Sequence, residues 1–299
     1  MIFAAIDIGS NAARLLFAHV FEIKKEVFIE NATLVRIPTR LGEDVYTENM
    51  ITKDKADRLI KTLKAFHLLI EAYNPVSYDV CATAAMREAG NGLKIIDRIM
   101  HETGFHVRLI DGIEEARIIR LTNKMGFRHP DKLAMYIDVG GGSTDISIME
   151  NHRILGVKSF EIGTLRLLKN KVKKKAWEQL KVWLLEYEEH FGSFHLVGSG
   201  GNINKINKLY GDPVLNLLSL KKLKKAHRHL KSFSLDDRVE KLGLRPDRAD
   251  VIIPAARIFT FIMKIVKAED ILVPKIGLAD GLIYRLYEEW KMNQPMEGS

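Results

Sequence analysis

The start of this chain and its middle open on the same short pattern, and that repeat limits the fold more than any other feature. Ile6-Asp7-Ile8-Gly9-Ser10-Asn11 runs into the strand-like Leu15-Leu16-Phe17, and Ile137-Asp138-Val139-Gly140-Gly141-Gly142 runs into Ile146-Ser147-Ile148. Each copy is a strand, an aspartate, an apolar residue, a glycine-rich turn and a second strand. Such a repeat argues for two related domains rather than one continuous core. If the domains face each other, the two turns become opposite walls of one cleft.

Periodicity and breaker residues fill in the rest. Strand-like stretches are expected near 2–8, 12–20, 26–36, 77–82 and 106–110, and helical ones near 53–73, 92–103 and 112–125. The segment 126–131, with His129-Pro130, reads as a break. A second set follows, with strands near 133–138, 143–149 and 153–160 and helices near 163–190, 199–210, 216–231, 248–267 and 278–290. The expected division is therefore 1–127 and 128–299, two α/β domains with helical insertions in the second. A length of 299 residues suits two domains better than one.

Composition excludes several classes. With 46% hydrophobic and 28% charged residues the profile is that of a soluble globular protein, and no apolar run approaches the roughly 20 residues of a membrane span. The N-terminus enters a strand at once, without the basic and apolar regions of a secretory signal, so a cytoplasmic protein with no membrane partner is expected. The single cysteine, Cys81, can form neither an intramolecular disulfide nor a cysteine metal cluster, and its apolar neighbours make it a core residue. The ten histidines show no spacing such as His-Glu-x-x-His, so zinc is not expected.

The formal charge of +8 suggests polyanionic company. Many lysines fall in 169–175 and 221–231. Around the second run Leu220, Leu223, Leu230 and Phe233 recur at near-helical intervals, so the lysines lie on the wet face of an amphipathic helix. That face is either simply solvated or attracts a long anionic substrate.

The glycine turns carry the chemistry. Glycine permits the positive φ angles that line up successive amides into an anion nest, and Asp138-Val139-Gly140-Gly141-Gly142-Ser143-Thr144 offers three glycines followed by two hydroxyls. Asp7-Ile8-Gly9-Ser10-Asn11 is its shorter counterpart. A third turn, Gly198-Ser199-Gly200-Gly201-Asn202, joins a strand to a helix and aims helix N-terminal amides at an anion. Its spacing matches neither a Walker loop nor a dinucleotide fingerprint. Thr83 and Arg87, in Ala82-Thr83-Ala84-Ala85-Met86-Arg87, offer a hydroxyl and a guanidinium to phosphate oxygens. Glu114 and Glu115 open a helix after Asp111-Gly112-Ile113; neighbouring positions lie about 100° apart, so only one faces the cleft.

With these residues in view, the chain resembles the exopolyphosphatase and guanosine-pentaphosphate phosphohydrolase family, within the actin, Hsp70 and sugar-kinase superfamily. The resemblance runs from about Ala4 to Leu286 and rests on order: Asp7 to Asn11, Arg40-Leu41-Gly42, Ala82 to Arg87 with Asn91, Gly112 to Ala116, Asp138 to Thr144, Gly163 to Leu167, and Gly198 to Asn202. It implies two ribonuclease-H-like domains with the active site in an interdomain cleft.

The resemblance also implies roles. Glu115 activates the attacking water, Asp138 holds a divalent metal, Mg²⁺ or Mn²⁺, with Asp7 and Asp145 beside it, and the loops grip the terminal phosphate. Gly9, Ser10, Asn11, Thr83, Gly140, Gly141, Gly142, Ser143, Gly198, Ser199, Gly200 and Gly201 are the phosphate-binding candidates, and Arg87 steadies developing charge. The implied reaction is release of terminal orthophosphate from inorganic polyphosphate or guanosine pentaphosphate, with nucleic acid not expected as a partner and a homodimer the default association. The family usually has Glu where this chain has Asp145, one methylene shorter, and Gly277-Leu278-Ala279-Asp280-Gly281 replaces a commoner Arg-Glu-Gly ending. The chain stops after the second domain, without the helical extension of longer members, so low processivity is expected. Two other readings stay open: a weakly active sensor of polyphosphate or nucleotide, and an acceptor-dependent kinase of the same superfamily.

Overall fold

The computed structural model describes residues 1–23, 26–121, 133–150 and 153–294. The chain divides into two compact units, one of Met1–Leu41, Asn49–Arg128 and Gly277–Ser299, the other of Gly42–Glu48 and His129–Ile276. In chain order the elements are β1 (Ile2–Ile8), β2 (Ala13–Ile23), β3 (Glu26–Ile37), α1 (Leu41–Glu48), α2 (Lys53–Tyr73), β4 (Ser77–Ala82), α3 (Ala84–Glu88), α4 (Gly92–Thr103), β5 (Val107–Leu109) and α5 (Gly112–Leu121). There follow β6 (Ala134–Val139), β7 (Thr144–Glu150), β8 (Arg153–Phe160), α6 (Thr164–Leu168), α7 (Lys174–Phe191), β9 (His195–Ser199), α8 (Gly201–Tyr210) and β10 (Leu217–Ser219). The last are α9 (Leu220–Lys231), α10 (Leu235–Glu240), α11 (Pro246–Ala249), α12 (Ile252–Ile265), β11 (Asp270–Leu272) and α13 (Leu278–Met292).

The repeat seen in the sequence is a repeat of topology. The first sheet runs β3-β2-β1-β4-β5 and the second β10-β11-β9-β6-β7-β8. In each, an antiparallel meander (β1-β2-β3, β6-β7-β8) is extended from its first strand by parallel strands (β4 and β5; β9 and β11). Both units are thus ribonuclease-H-like α/β domains. Central strands read as continuous apolar runs because both faces are covered, and β1 is buried from Phe3 onward.

Several boundaries differ from the periodicity reading. The pattern at 163–190 is two helices, α6 and α7, broken where Asn170 takes φ 55°. The 216–231 pattern begins as β10 before it becomes α9, and 248–267 splits into α11 and α12. The short α1, α3 and α10 and the three-residue β11 carry too few residues for a period to show. The break at 126–131 lies outside the described residues. Among the described residues no helix is long and apolar enough to cross a membrane.

The C-terminal helix α13 belongs to the first unit, whereas a linear division at 127/128 puts it with the second half. Its Leu278, Leu282, Ile283, Leu286 and Tyr287 join Phe3, Ala5, Leu16 and Ala18 in one apolar cluster, which only a return of the chain to β1 can build. Gly281 lets α13 approach α5 closely, since a Cβ there would lie 2.1 Å from the Ile118 carbonyl oxygen. The second unit is organised around α12, whose Ile252, Ala255, Ala256, Ile258, Phe259, Ile262 and Met263 are all buried.

An ionic cluster ties β4, β5, α5 and α13 together. Arg108 donates to Asp79 through Nε (3.2 Å) and Nη2 (2.9 Å) and to Glu114 Oε1 through Nη1 (2.7 Å), and Arg285 also donates to Asp79. Burial alone would raise the Asp79 pKa, but the Arg108 hydrogen bonds and the charges of Arg108 and Arg285 outweigh it and hold the carboxyl below its ordinary value. Cys81 lies beside the cluster, with Arg108 Nη2 at 3.1 Å from its Sγ. Burial, and then the Asp79 charge, push its thiol up to about 12.

Two outcomes follow from this cluster. Cys81 of the folded protein should resist a disulfide-exchange reagent at pH 8 and react fully in guanidinium; rapid labelling in native buffer would contradict the buried, neutral thiol. Asp79 stabilises the fold as a carboxylate, fully so above the unfolded value of about 3.9, and loses that contribution as pH falls through its lower folded value. Asp79→Asn should therefore cost about 1–3 kcal/mol at pH 7 and flatten the acid limb of Tm against pH. An acid limb identical to that of wild type would count against the role given to Asp79.

Candidate active site

In the first unit the parallel strands β1, β4 and β5 end at one edge of the sheet, the usual place for ligand-binding loops in α/β folds. Gly9-Ser10-Asn11 leaves β1, Thr83 to Arg87 leaves β4, and Ile110-Asp111 leads from β5 into α5. These segments are stitched together: the Thr83 amide donates to Ile8 O (3.2 Å), the Ile110 amide to Ala82 O (3.0 Å), and Arg87 Nη1 to Ile110 O (2.7 Å). The first turn is closed by the Gly9 amide on Ala12 O at 3.0 Å, with Ser10 buried behind it. The Asn91 carboxamide accepts from the Ile51 amide through Oδ1 and donates to Ile51 O through Nδ2, which makes it a brace for the loop before α2.

Asp7 is buried and accepts from Arg14 Nη1 at 2.8 Å, its register partner across β1–β2. Burial raises the Asp7 pKa, and the Arg14 charge and hydrogen bond oppose that rise. Asp111 caps α5, its Oδ1 accepting from the Glu114 amide at 2.7 Å. Of the two glutamates that follow, Glu114 is committed to Arg108 and, at 3.7 Å, to Arg285. Glu115, half-buried, stands one position further round the first turn of α5.

In the second unit, the β6–β7 turn is held from one side. Gly140 O accepts from the Thr164 amide (3.0 Å), Gly141 O from the amides of Leu165 (2.9 Å) and Arg166 (3.2 Å), and Gly142 O from Arg166 Nε (2.9 Å). Gly163 permits this approach, since a Cβ there would sit 2.2 Å from Gly141 O. The buried Arg166 guanidinium is itself seated over the Tyr46 ring at 4.3 Å. With the carbonyls of all three glycines drawn toward α6, no backbone carbonyl among the described residues accepts from the amides of Gly141, Gly142 or Ser143. None of Gly140, Gly141 and Gly142 takes a positive φ, so the alternating-hand nest expected from the sequence is not formed; the turn instead offers three amides with no backbone acceptor among the described residues, a set that can face an anion.

Carboxylates flank the turn. Asp138 Oδ1 accepts from Ser199 Oγ at 2.7 Å, and Asp145 Oδ2 accepts from Ser143 Oγ at 2.9 Å. Asp138 and Asp145 are register partners in the antiparallel pair β6–β7, so their side chains leave one face of the sheet with Cβ atoms about 5 Å apart. Two like charges so placed are unfavourable without a cation or a shared proton. In the first unit the equivalent pair is Asp7 and Arg14, where the guanidinium already supplies the positive charge.

The third turn serves the same place. Ser199 is the register partner of Asp138 across the parallel pair β6–β9, and Gly200, at φ 102°, turns the chain into α8 at a point where a Cβ would lie 3.2 Å from both Asp138 Oδ1 and Val139 O. The positive end of the α8 dipole, beginning at Gly201, thus starts beside the Asp138 loop. Gly198 lies inside β9, where a Cβ would meet Ile271 Cδ1 at 2.9 Å, so its smallness serves packing.

The donor set suits a hard divalent cation. Two carboxylates on one sheet face, with the remaining ligands from water and substrate phosphate, is the way Mg²⁺ is commonly held. Among the described residues no group of three or more His, Cys, Asp and Glu forms an all-protein metal cage. Sequence reasoning did not find the work of Arg108, Arg285 or Arg166. Arg166 lies within Gly163 to Leu167, but nothing local to the sequence shows that its Nε reaches Gly142. Asp111 carried a readable signal, an aspartate three residues before Glu114 at a helix start.

A protein-family comparison matches residues 20–189 to the Ppx/GppA phosphatase family. Among curated relatives, the bifunctional 3-dehydroquinate synthase/phosphatase of Fusobacterium nucleatum is 27% identical over 281 residues, 84% of this chain and 41% of that protein. Exopolyphosphatase 1 of Mycobacterium leprae is 23% identical over 94% of this chain and 88% of its own length. The guanosine-5'-triphosphate,3'-diphosphate pyrophosphatase of Aliivibrio fischeri is 24% identical over 96% of this chain, which spans 59% of that protein. Among solved structures, an exopolyphosphatase from Cytophaga hutchinsonii superposes with a TM-score of 0.83 at 23% identity, covering 97% of this chain and 98% of that one. The Aquifex aeolicus Ppx/GppA family member gives 0.76 at 24% identity, covering 99% of both chains. These two likenesses establish the fold. The family match takes in more than half of the 299 residues, and the chain belongs to the Ppx/GppA phosphatase family.

Proposed function

We propose that this protein hydrolyses the terminal phosphoanhydride bond of inorganic polyphosphate or guanosine pentaphosphate, releasing orthophosphate. The observation that carries the reading is the glycine turn whose carbonyls are all drawn toward α6, leaving the Gly141, Gly142 and Ser143 amides without backbone acceptors and flanked by Asp138 and Asp145. Relatives named exopolyphosphatase and guanosine-5'-triphosphate,3'-diphosphate pyrophosphatase support the same reaction class.

Phosphoryl transfer demands positioning and charge neutralisation more than covalent chemistry. The amides of Gly141, Gly142 and Ser143, with Gly200 and Gly201, hold the terminal phosphate, and Ser10, Asn11 and the Thr83 hydroxyl are further donor candidates; the amides of Gly9 and Gly140 are already given to Ala12 O and Ser143 O. Ser143 and Ser199 orient the Asp145 and Asp138 carboxylates, which would hold Mg²⁺ or Mn²⁺, and a cation held there would offset the charge of the phosphate oxygens. Glu115 accepts the proton of the attacking water, and Arg87, anchored on Ile110 O, offsets charge that develops during transfer. Glu114 cannot take the base's role while it neutralises Arg108.

Phosphate release from polyphosphates of several lengths, guanosine pentaphosphate and ATP, with Mg²⁺ or Mn²⁺, tests the reading. Glu115→Gln should lower kcat by about 10²–10⁴ at temperatures where the variant remains folded, whereas Glu114→Gln should lower Tm and leave most of the activity. Wild-type rates in the Glu115 variant would remove it as the base, and phosphate transfer that requires an acceptor hydroxyl would replace hydrolysis by kinase chemistry. Asp145→Asn, which keeps the side-chain shape, should raise the metal concentration needed for half-maximal activity about tenfold or more. An unchanged metal titration would take Asp145 out of the cation site.

A further inference from the structure

The most unbalanced surface of the second unit is the outward face of α9. Leu223, Ala226 and Leu230 are buried, and α9 packs on α8 and α12. On the other side stand Lys221, Lys222, Lys224, Lys225, Arg228 and Lys231, all exposed, on a helix that contains no acidic residue. Among the described residues no ion pair reaches any of the six; Asp212 feels the charge of Lys222 without forming one. An ordinary solvated helix mixes signs, as α2 does with Asp54, Asp57 and Glu71 among its lysines.

This arrangement works against the helix that bears it. Lys221 and Lys222 sit in the first turn, where the helix dipole favours acids, and cations recur at three- and four-residue spacings, where like charges repel. The helix is held at both ends regardless. Ser219 Oγ accepts from the Lys222 amide at 3.2 Å, and the Arg238 guanidinium donates to Leu230 O (2.8 Å) and Phe233 O (2.9 Å) past its C-terminus. The result is a rigid row of cations whose mutual repulsion is relieved only by an external anion.

The position of the row indicates which anion. Tyr210, the last residue of α8, is hydrogen-bonded to His229 of α9 at 2.9 Å, and the first residue of α8 lies beside Asp138. The ten residues of α8 span about 15 Å, so the row begins roughly that far from the glycine turn within the same unit. A short substrate cannot reach both places, whereas a long one can. We infer that the exposed face of α9 is a second binding surface for an inorganic polyphosphate chain, engaging the polymer away from the reacting end. The inference rests on the reading of polyphosphate as a substrate. Lysine point charges suit a uniform polyanion, and α9 carries no Phe, Tyr or Trp on which a nucleic-acid base could stack. Engaging one chain at two places raises the affinity for long polymers without changing the affinity for short ones.

The test compares the whole protein with two variants of equal charge change, Lys221→Gln/Lys224→Gln/Lys225→Gln/Arg228→Gln on α9 and Lys171→Gln/Lys173→Gln/Lys174→Gln/Lys175→Gln on the other basic run. Calorimetric binding of long-chain polyphosphate at several salt concentrations should weaken about tenfold or more in the α9 variant, with a flatter salt dependence, and stay near wild type in the control. Hydrolysis of tripolyphosphate should keep its kcat/KM in both. Unchanged long-chain binding in the α9 variant, or an equal loss in the control, would overturn the inference, as would α9-dependent binding of single-stranded RNA tighter than that of polyphosphate. Absence of any tripolyphosphate hydrolysis by wild type counts against the proposed reaction instead, and the binding arm still decides the role of α9.

Discussion

A strand covered on both faces can present chemistry only where it ends, and the two units are arranged around that constraint. β1 and β6 are central strands with apolar neighbours on either side, and each ends in an aspartate, one apolar residue and a glycine turn. Parallel partners bring further segments to the same edge: Thr83 and Ile110 beside β1, Ser199 and Gly200 beside β6. The sites follow from strand order. Neither unit needs a long loop to gather its polar groups.

The same frame carries different electrostatics in the two units. In the first, the buried Asp7 faces Arg14 across β1–β2, and the pair is internally neutral. In the second, the equivalent position holds Asp145 opposite Asp138, and each carboxylate is oriented by a serine hydroxyl. The second unit thus sets a carboxylate where the first has a guanidinium. The neighbouring glycine turn keeps three amides without backbone acceptors among the described residues, because α6 and Arg166 take up the carbonyls of Gly140, Gly141 and Gly142.

Charge is also used to separate two adjacent glutamates. Arg108 and Arg285 are fixed by Asp79, and their remaining donors hold Glu114, so the first turn of α5 is pinned in rotation by an ionic cluster built from β4, β5 and α13. Gly281 lets α13 close against α5 from the other side. In α9 the opposite policy holds, with six cations left unpaired by any described residue and rigid capping at both ends. Clusters that balance their charge serve the fold, and the unbalanced face of α9 is where a polyanion is expected.

The repeat, the order of the strands that carry the glycine turns, the burial of Cys81 and the wet face of the 221–231 helix were legible in the amino-acid order, because each depends on residues close together in the chain. That order also located Asp138, Asp145 and the glycine loop, and narrowed Glu114 and Glu115 to a pair. The folded chain was needed to show that Glu114 is the member bound by Arg108 and Arg285, that Asp7 is paired with Arg14, that Gly198 is a packing residue, and that α13 returns to β1. Each of these joins residues from separate elements, and a contact such as Arg166 on Gly142 or Arg285 on Asp79 has no local pattern to announce it. Periodicity reports which side of an element is apolar; which charged group stands opposite another depends on how the strands are ordered and how closely the helices are allowed to approach.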